Sequence, residues 1–271
     1  RKVVEKKPSL LPDRPIDSRS MGGCIPSVWA DPAEWKEALE IPLDPSIEVP
    51  THGGAESASG HWKAYLDARA LSHYKQTRNA FQGPMQSSHL SAWLAHGCIS
   101  PRQIWWDTLQ YEQDVEANES TYWLRFELLW REYFRWYSRA SDWTLFRRTG
   151  PSDQVFGFDQ NARRFERWKT GHTDCDIVDA AMRELNQTGW MSNRARQLVA
   201  SHLIYESNLD WRLGAAYFES QLVDFDVASN WGNWAYIAGV GPDPRGGRIF
   251  HLNDQADRYD PDGSYRRRWL S

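Results

Sequence analysis

The sequence has little cysteine and no long apolar run. Its three cysteines, Cys24, Cys98 and Cys175, lie far apart and show no metal-ligand spacing, which predicts reduced thiols and no disulfide framework. No stretch approaches the roughly 18 apolar residues of a membrane-spanning helix, and the chain does not begin like a signal peptide. We therefore expect a cytoplasmic protein that binds neither a metal ion nor a membrane.

Net positive charge is also lacking, since the formal net charge is −4 at pH 7 and the sequence pI is ≈ 6.1. Bulk charge therefore gives no sign of a nucleic-acid-binding protein. Residues 31–60 carry seven acidic side chains against the single Lys36, a balance that would repel phosphates. Any surface that binds a nucleic acid must lie later in the chain.

Aromatic side chains are what the sequence has in excess. They make up 14% of the residues, and Trp alone counts 16 against 10 Phe. Such rings can fill a core, but an excess of Trp over Phe also suits stacking and electron transfer.

The first 60 residues differ in composition from the rest of the chain. They hold most of the fourteen prolines, together with glycines and short charged runs, and such a composition cannot sustain long helices. From His61 onward the periodicity is helical, and strand-like alternation is almost absent. We predict an extended, linker-like arm over residues 1–60 and an all-α domain over residues 61–271. The predicted helices include His61–Arg78, Thr121–Ala140 and Leu213–Val223.

The stretch from Asp224 to Tyr236 is chemically the densest part of the chain. It combines two acids, two amides, two tryptophans and a tyrosine within thirteen residues. Hydrogen-bonding groups beside flat rings suit a ligand that is both polar and aromatic, such as a flavin or a nucleobase. A rigid aromatic turn packed on a core is the alternative, and this segment alone leaves both open.

The longest predicted helix gathers functional side chains on one face. Glu127, Trp130, Arg131 and Phe134 stand at i, i+3, i+4 and i+7. A carboxylate, an indole and a guanidinium on one stripe suit a buried polar pocket. The alternative is a Glu–Arg pair beside a core tryptophan.

Two other helix starts carry polar side chains. The serines of Ser87–Ser91 come directly before a helical run, where a Ser cap and the positive end of the helix dipole would make a phosphate site. Simple capping without a ligand is the alternative. Further on, Ser192 is a predicted N-cap for a helix on which Asn193, Arg196 and Gln197 share a face. Such buried amides can also serve only to satisfy backbone groups.

Taken together, these motifs resemble the photolyase/cryptochrome family. Asp224-Phe225-Asp226, followed by Ser229-Asn230 and Trp234, is similar to the family's flavin-binding segment. Tyr236 stands where other branches often carry Trp, which makes the DASH-type branch the closer match. Residues 127–132 (ELLWRE) resemble the helix that contacts the DNA lesion. The resemblance covers roughly residues 61–271 and implies a helical FAD-binding domain, without the α/β antenna domain that normally precedes it.

The resemblance implies a role for each matching residue. The implied catalytic residues are Glu127, Trp130, Asn193, Gln197 and Tyr236. The implied FAD-binding residues are Tyr74, Ser87, Ser88, His89, Leu90, Ser91, Trp190, Asn193, Arg196, Asp224, Asp226, Ser229 and Asn230. The implied DNA-binding residues are Arg78, Arg131, Arg194 and Gln255. Further arginines of the tail that could contact phosphates are Arg245, Arg248, Arg258, Arg266, Arg267 and Arg268.

The resemblance also implies a chain of electron donors. Family members pass electrons to the flavin through three successive tryptophans, of which Trp234 and Trp211 match the inner two. Phe158 falls at the outer position, and Phe is a far poorer donor than Trp. We expect photoreduction to end early or to leave through another ring such as Trp143 or Trp168.

The implied function is light-driven repair of cyclobutane pyrimidine dimers in DNA by electron transfer from reduced FAD. Extruding a damaged base is easier from a single strand, so we expect single-stranded DNA to be the preferred partner. We also expect a monomer without a bound antenna chromophore. Two alternatives stay open: a flavin photoreceptor that does not repair DNA, and a helical interaction domain that has lost its flavin.

Overall fold

The computed structural model describes residues 52–152, 157–159, 161–243 and 246–271. Most of the predicted arm, and Arg245, lie outside these described residues. Within the described ranges the backbone is helical or irregular, and β pairing is limited to an isolated bridge between Asp159 and Leu209. The all-α fold class is confirmed. None of the described helices has both the length and the apolar character needed to cross a membrane.

The α-helices of the described residues are numbered in chain order. They are α1 (Ala55–Asp67), α2 (Tyr74–Thr77), α3 (Ser91–Ala95), α4 (Pro101–Asp114), α5 (Glu119–Ser141), α6 (Ala162–Lys169), α7 (Asp176–Thr188), α8 (Asn193–Ser201), α9 (Trp211–Gln221), α10 (Val227–Ala238), α11 (Leu252–Tyr259) and α12 (Ser264–Leu270). Short 3₁₀ helices lie at Ala70–His73 and Asp142–Phe146, and a π-helical turn lies at His202–Glu206.

The prediction of one helix over His61–Arg78 was wrong. Helix α1 begins six residues earlier, at Ala55, and ends at Asp67. Arg69 then takes a left-handed conformation with φ 55°, which interrupts the helical path before the 3₁₀ turn and α2. The apolar periodicity continues through this break, and for that reason the pattern alone did not reveal it.

Helix α5 matches its predicted position closely, and its start has a clear cause. The Asn118 side chain accepts hydrogen bonds from the backbone N–H groups of Ser120 and Thr121, while the Thr121 hydroxyl accepts one from the Asn118 N–H. This capping box satisfies donors that the first helical turn leaves unpaired.

In the part of the chain that the structure describes, buried apolar side chains form two clusters. The larger one is built mainly by α7, α8, α9 and α10, and the smaller one mainly by α1, α4 and the first half of α5. Helix α5 contacts both α10 and α4, so it connects the two clusters. Burial of these apolar surfaces is the main source of stability.

Two glycines let helices approach closely around α10. A Cβ atom on Gly214 of α9 would lie 2.2 Å from Cη2 of Trp234, and one on Gly232 of α10 would lie 2.4 Å from Cδ1 of Phe134 on α5. Glycine at these positions therefore sets the distance of α10 from both neighbours.

We predict that Gly214→Ala lowers the free energy of unfolding by about 1–3 kcal/mol, because the new methyl group overlaps the Trp234 ring. Gly60→Ala is the matched control: Gly60 lies inside α1 with nothing within 4 Å of an added Cβ. That change should raise stability by about 0.5–1 kcal/mol through helix propensity. Denaturant unfolding measures both, and a Gly214→Ala protein as stable as the Gly60→Ala protein would contradict the packing described.

Candidate functional site

A cavity of ≈ 550 Å³ opens beside α5, α8 and α10, and a second one of ≈ 190 Å³ adjoins it. The two cavities share a wall formed by polar side chains from five different segments of the chain. These shared residues are Arg78, Ser91, Glu127, Asn193, Arg196 and Asp224.

Every predicted catalytic and FAD-binding residue lines one of the two cavities. Tyr74, Trp190 and the whole Ser87–Ser91 run line the smaller one. Trp130, Gln197, Asp226, Ser229, Asn230 and Tyr236 line the larger one. Trp234 also reaches the larger cavity, whereas Trp211 is buried and lines neither cavity. Residues that are 150 positions apart in the sequence thus meet at one place.

An ion pair between α8 and the segment before α10 crosses the shared wall. Ser192 caps α8 by accepting a hydrogen bond from the Ala195 N–H, as predicted. In the next turn, Arg196 donates through Nε to the Met191 carbonyl and through Nη2 to Oδ2 of Asp224, both at 2.8 Å. The cap and the backbone contact therefore fix the guanidinium before it meets the carboxylate.

Asp224 retains one oxygen without a partner. Its side chain is 1% exposed, and Oδ1 has no hydrogen-bond partner within the described protein. A buried charged oxygen is costly to leave unpaired. The Oε1 atom of Gln197, in the wall of the same cavity, is also buried without a partner. Such atoms fit a ligand that carries hydroxyl or N–H donors, as a flavin with its ribityl chain does.

The segment around Asp226 is a helix start. Asp226 caps α10, because its Oδ1 accepts a hydrogen bond from the Ser229 N–H at 2.9 Å. The alternative of a rigid aromatic turn was therefore wrong: Trp231, Trp234 and Tyr236 lie on helix α10, and Phe225 precedes it. Asn230 donates through Nδ2 to the Ala215 carbonyl at 2.9 Å, and its Oδ1 can still accept a hydrogen bond from a ligand.

The predicted face of α5 lines the larger cavity. Glu127 forms an ion pair with Arg78. Burial raises the pKa of the Glu127 carboxyl above its ordinary value, and Arg78 opposes this shift without cancelling it. The rings of Trp130 and Tyr236 meet at 68° with centroids 6.1 Å apart, so they form an aromatic corner beside the acid.

The prediction of a Ser cap in Ser87–Ser91 was wrong. Helix α3 begins at Ser91 after Leu90, and no side chain caps it. His89 has φ 48°, which breaks the run between the first serines and the helix. Burial lowers the pKa of the His89 imidazole, which favours its neutral form beside the Trp190 ring. The serines line the smaller cavity, but a dipole-based phosphate site has no support in a helix of five residues.

Two of the four predicted DNA-binding residues line a cavity, and two do not. Arg78 and Arg131 lie in the cavity walls, where Arg131 donates to the Leu94 carbonyl at 3.1 Å. Arg194 packs over the rings of Phe250 and Tyr259, and Gln255 on α11 lines neither cavity. Their role in DNA binding stays a prediction.

Arg248 was predicted only as one of several arginines that could contact phosphates, but it lies in the wall of the larger cavity. Its Nε donates to Oδ2 of the buried Asp243 at 2.9 Å, and its Nη2 donates to the Tyr236 hydroxyl. Arg248 therefore fixes the outer end of the Tyr236 ring. No local sequence signal indicates this contact, because it depends on how the chain after α10 returns to the cavity.

The comparisons with known proteins agree with this geometry. A family model described as "FAD binding domain of DNA photolyase" matches residues 123–271. A cryptochrome DASH of Vibrio parahaemolyticus is 47% identical over 277 residues, which cover 97% of this chain and 62% of that protein.

Solved structures are also similar. A cryptochrome of Synechocystis sp. matches with a TM-score of 0.79 and 47% identity, over 81% of this chain and 46% of that one. A bacterial class III photolyase of Agrobacterium tumefaciens matches with a TM-score of 0.74 and 34% identity, over 81% and 45%. The chain thus spans less than two thirds of the length of each of these proteins.

We predict that Asp224→Asn lowers the amount of FAD that the purified protein retains by about tenfold or more, because a charge-assisted hydrogen bond contributes about 1.5–3 kcal/mol. Asp260→Asn is the matched control, since Asp260 is equally buried at 1% exposure and pairs with Arg266 at 2.9 Å, outside both cavities. Flavin absorbance per protein measures the effect. Equal flavin loss in the two variants would contradict a specific role for Asp224.

Proposed function

The chain belongs to the photolyase/cryptochrome family and carries its FAD-binding domain, and on this premise we propose that it repairs cyclobutane pyrimidine dimers in DNA with light. FAD is the cofactor, and when bound it supplies the electron that light releases. The proposal rests on one cavity whose lining brings together a half-buried acid, Glu127, the corner of Trp130 and Tyr236, and the polar side chains of Asn230 and Asp224.

The residues nearest the shared wall would hold the cofactor. The unpaired Oδ1 of Asp224 and the amide of Asn230 offer hydrogen bonds to a ribityl chain and to a flavin ring. Arg196, fixed by the Met191 carbonyl, adds a positive charge at the same place. These groups would bind and orient a negatively charged dinucleotide.

The aromatic corner would hold the joined pyrimidines. Trp130 and Tyr236 offer two flat faces at a steep angle, which suits two bases that a cyclobutane ring holds out of parallel. Stacking contributes roughly 1–3 kcal/mol per base. Arg248 keeps Tyr236 in place through its hydroxyl. A dimer must leave the stack to reach this corner, and extrusion costs less from a single strand, which supports single-stranded DNA as the substrate.

Glu127 would stabilise the reacting dimer. Burial raises the pKa of its carboxyl and so shifts the balance toward the protonated form, which would donate a hydrogen bond to a pyrimidine carbonyl in place of accepting one from Arg78. When the dimer gains an electron, negative charge develops on that carbonyl, and a fixed donor there lowers the barrier to ring opening. Arg78, paired with Glu127, holds the carboxyl toward the cavity.

We predict that Glu127→Gln lowers the rate of light-driven dimer splitting by about 5- to 30-fold while FAD stays bound. An amide keeps the shape and the contact with Arg78, but its neutral hydrogen bond is weaker by about 1–2 kcal/mol than one from an acid to a developing charge. Glu132→Gln is the control, because Glu132 lies on the same helix, pairs with Arg131 and lines neither cavity. The measurement is repair of an oligonucleotide with one thymine dimer under illumination.

A photoreceptor without repair activity is the alternative that this experiment distinguishes. Wild-type protein that binds FAD and responds to light, yet splits no dimers with chemically reduced flavin, would contradict repair and favour signalling.

We further predict that the splitting rate falls as pH rises through the raised pKa of Glu127. The acid form donates the hydrogen bond and is lost on ionisation, so the decline lies on the alkaline side of the ordinary carboxyl range. A pH profile of single-turnover splitting measures this. The decline should be absent in Glu127→Gln, and its persistence there would show that another group titrates.

A further inference from the structure

Trp231 is a candidate for the outer electron donor, and the sequence pattern did not suggest it. The rings of Trp211 and Trp231 meet edge to face with centroids 5.7 Å apart. Trp231 lies one turn before Trp234 on α10 and is half-buried, whereas Trp211 and Trp234 are buried. If electrons pass between Trp234 and Trp211 as the family resemblance implies, the observed contact of Trp211 with Trp231 extends that route to a half-buried ring without Phe158.

The surroundings of Trp231 favour a positive charge on its ring. Its Nε1–H donates to Oε2 of Glu219 at 2.9 Å. Loss of an electron leaves an indole cationic and its N–H acidic, so a hydrogen-bonded carboxylate both stabilises the charge and accepts the proton. Glu219 is exposed and can pass that proton to solvent.

The sequence analysis expected Trp143 or Trp168 to be the outer electron donor. Neither ring combines access to the surface with a hydrogen-bonded carboxylate, as Trp231 does. Trp168 lies 6.1 Å from Trp234 between ring centroids, but it is fully buried and its N–H donates to the neutral carbonyl of Val199. Trp143 is 59% exposed, but the Arg147 guanidinium lies 3.5 Å from its ring centroid. A fixed cation disfavours a second positive charge on the same ring.

We propose that Trp231, paired with Glu219, is the terminal electron donor for photoreduction, an inference that rests on the proposed function. Trp234 gives one electron to the light-excited oxidised flavin, Trp211 gives one to Trp234, and Trp231 gives one to Trp211. The flavin has then gained one electron and Trp231 has lost one. The Nε1 proton of Trp231 moves to the Glu219 carboxylate, so that a neutral tryptophan radical remains at the surface.

The test uses the FAD-loaded chain with oxidised flavin and compares Trp231→Phe with Trp168→Phe and Trp143→Phe. Time-resolved electron paramagnetic resonance with ring-deuterated tryptophan identifies the radical, and transient absorption gives its lifetime. We expect Trp231→Phe to shorten that lifetime at least tenfold, and the other two variants to keep it within about twofold. Adding Phe158→Trp to Trp231→Phe should restore a long-lived radical, because it supplies the missing outer ring.

Glu219→Gln removes the proposed proton acceptor but keeps the Trp231 ring. If Trp231→Phe fails to retain flavin, Glu219→Gln still tests the proposal. We expect its radical to stay protonated for longer, and the resonance spectrum distinguishes the two forms. A long-lived radical unchanged in both Trp231→Phe and Glu219→Gln, or one abolished by Trp168→Phe or Trp143→Phe, would overturn the inference.

Dimer splitting by chemically reduced flavin, measured on the same samples, separates this inference from the proposed function. It does not use the tryptophan route, so Trp231→Phe should split dimers at the wild-type rate. A long-lived Trp231 radical in a protein that splits no dimers would contradict repair but would agree with the proposed electron route. Normal splitting without a wild-type radical on Trp231 would overturn the route alone.

Discussion

The Arg196 guanidinium donates to the Asp224 carboxylate across 2.8 Å, and the rest of the site is arranged around this ion pair. It joins the start of α8 to the segment that leads into α10, so it sets where the two cavity walls meet. Buried ion pairs stabilise little by themselves, since desolvation offsets the attraction. The unpaired Oδ1 of Asp224 makes this pair costly until a ligand donor meets it. The pair is therefore best explained as part of a binding site.

Close packing connects that site to the protein surface. Gly214 and Gly232 allow α10 to lie tightly against α9 and α5, which brings Trp234 to the cavity wall and Trp231 against Trp211. The same helix that supplies Asn230 to the cavity thus carries tryptophans that lead away from it. Cofactor binding and electron supply share one helix, and a shift of α10 would disturb both.

Local patterns in the sequence predicted much of this arrangement. The shared face of α5, the Ser192 cap and the all-α fold class all follow from spacings within a few residues, and the structure confirms these three predictions. The break at Arg69 and the left-handed His89 were missed because the side-chain pattern does not record a backbone conformation that only the surrounding contacts stabilise. The contacts of Arg248 with Tyr236 and of Trp211 with Trp231 join different segments, so only the folded chain reveals them.

We propose that the described helices build a cavity in which FAD lies against Asp224 and Asn230. A crystal structure of the protein with FAD tests this arrangement most directly. We expect the flavin ring beside Asn230 in the larger cavity, with a ligand donor within hydrogen-bond distance of Asp224 Oδ1. A flavin bound elsewhere, or a cavity closed by the protein's own side chains, would contradict it.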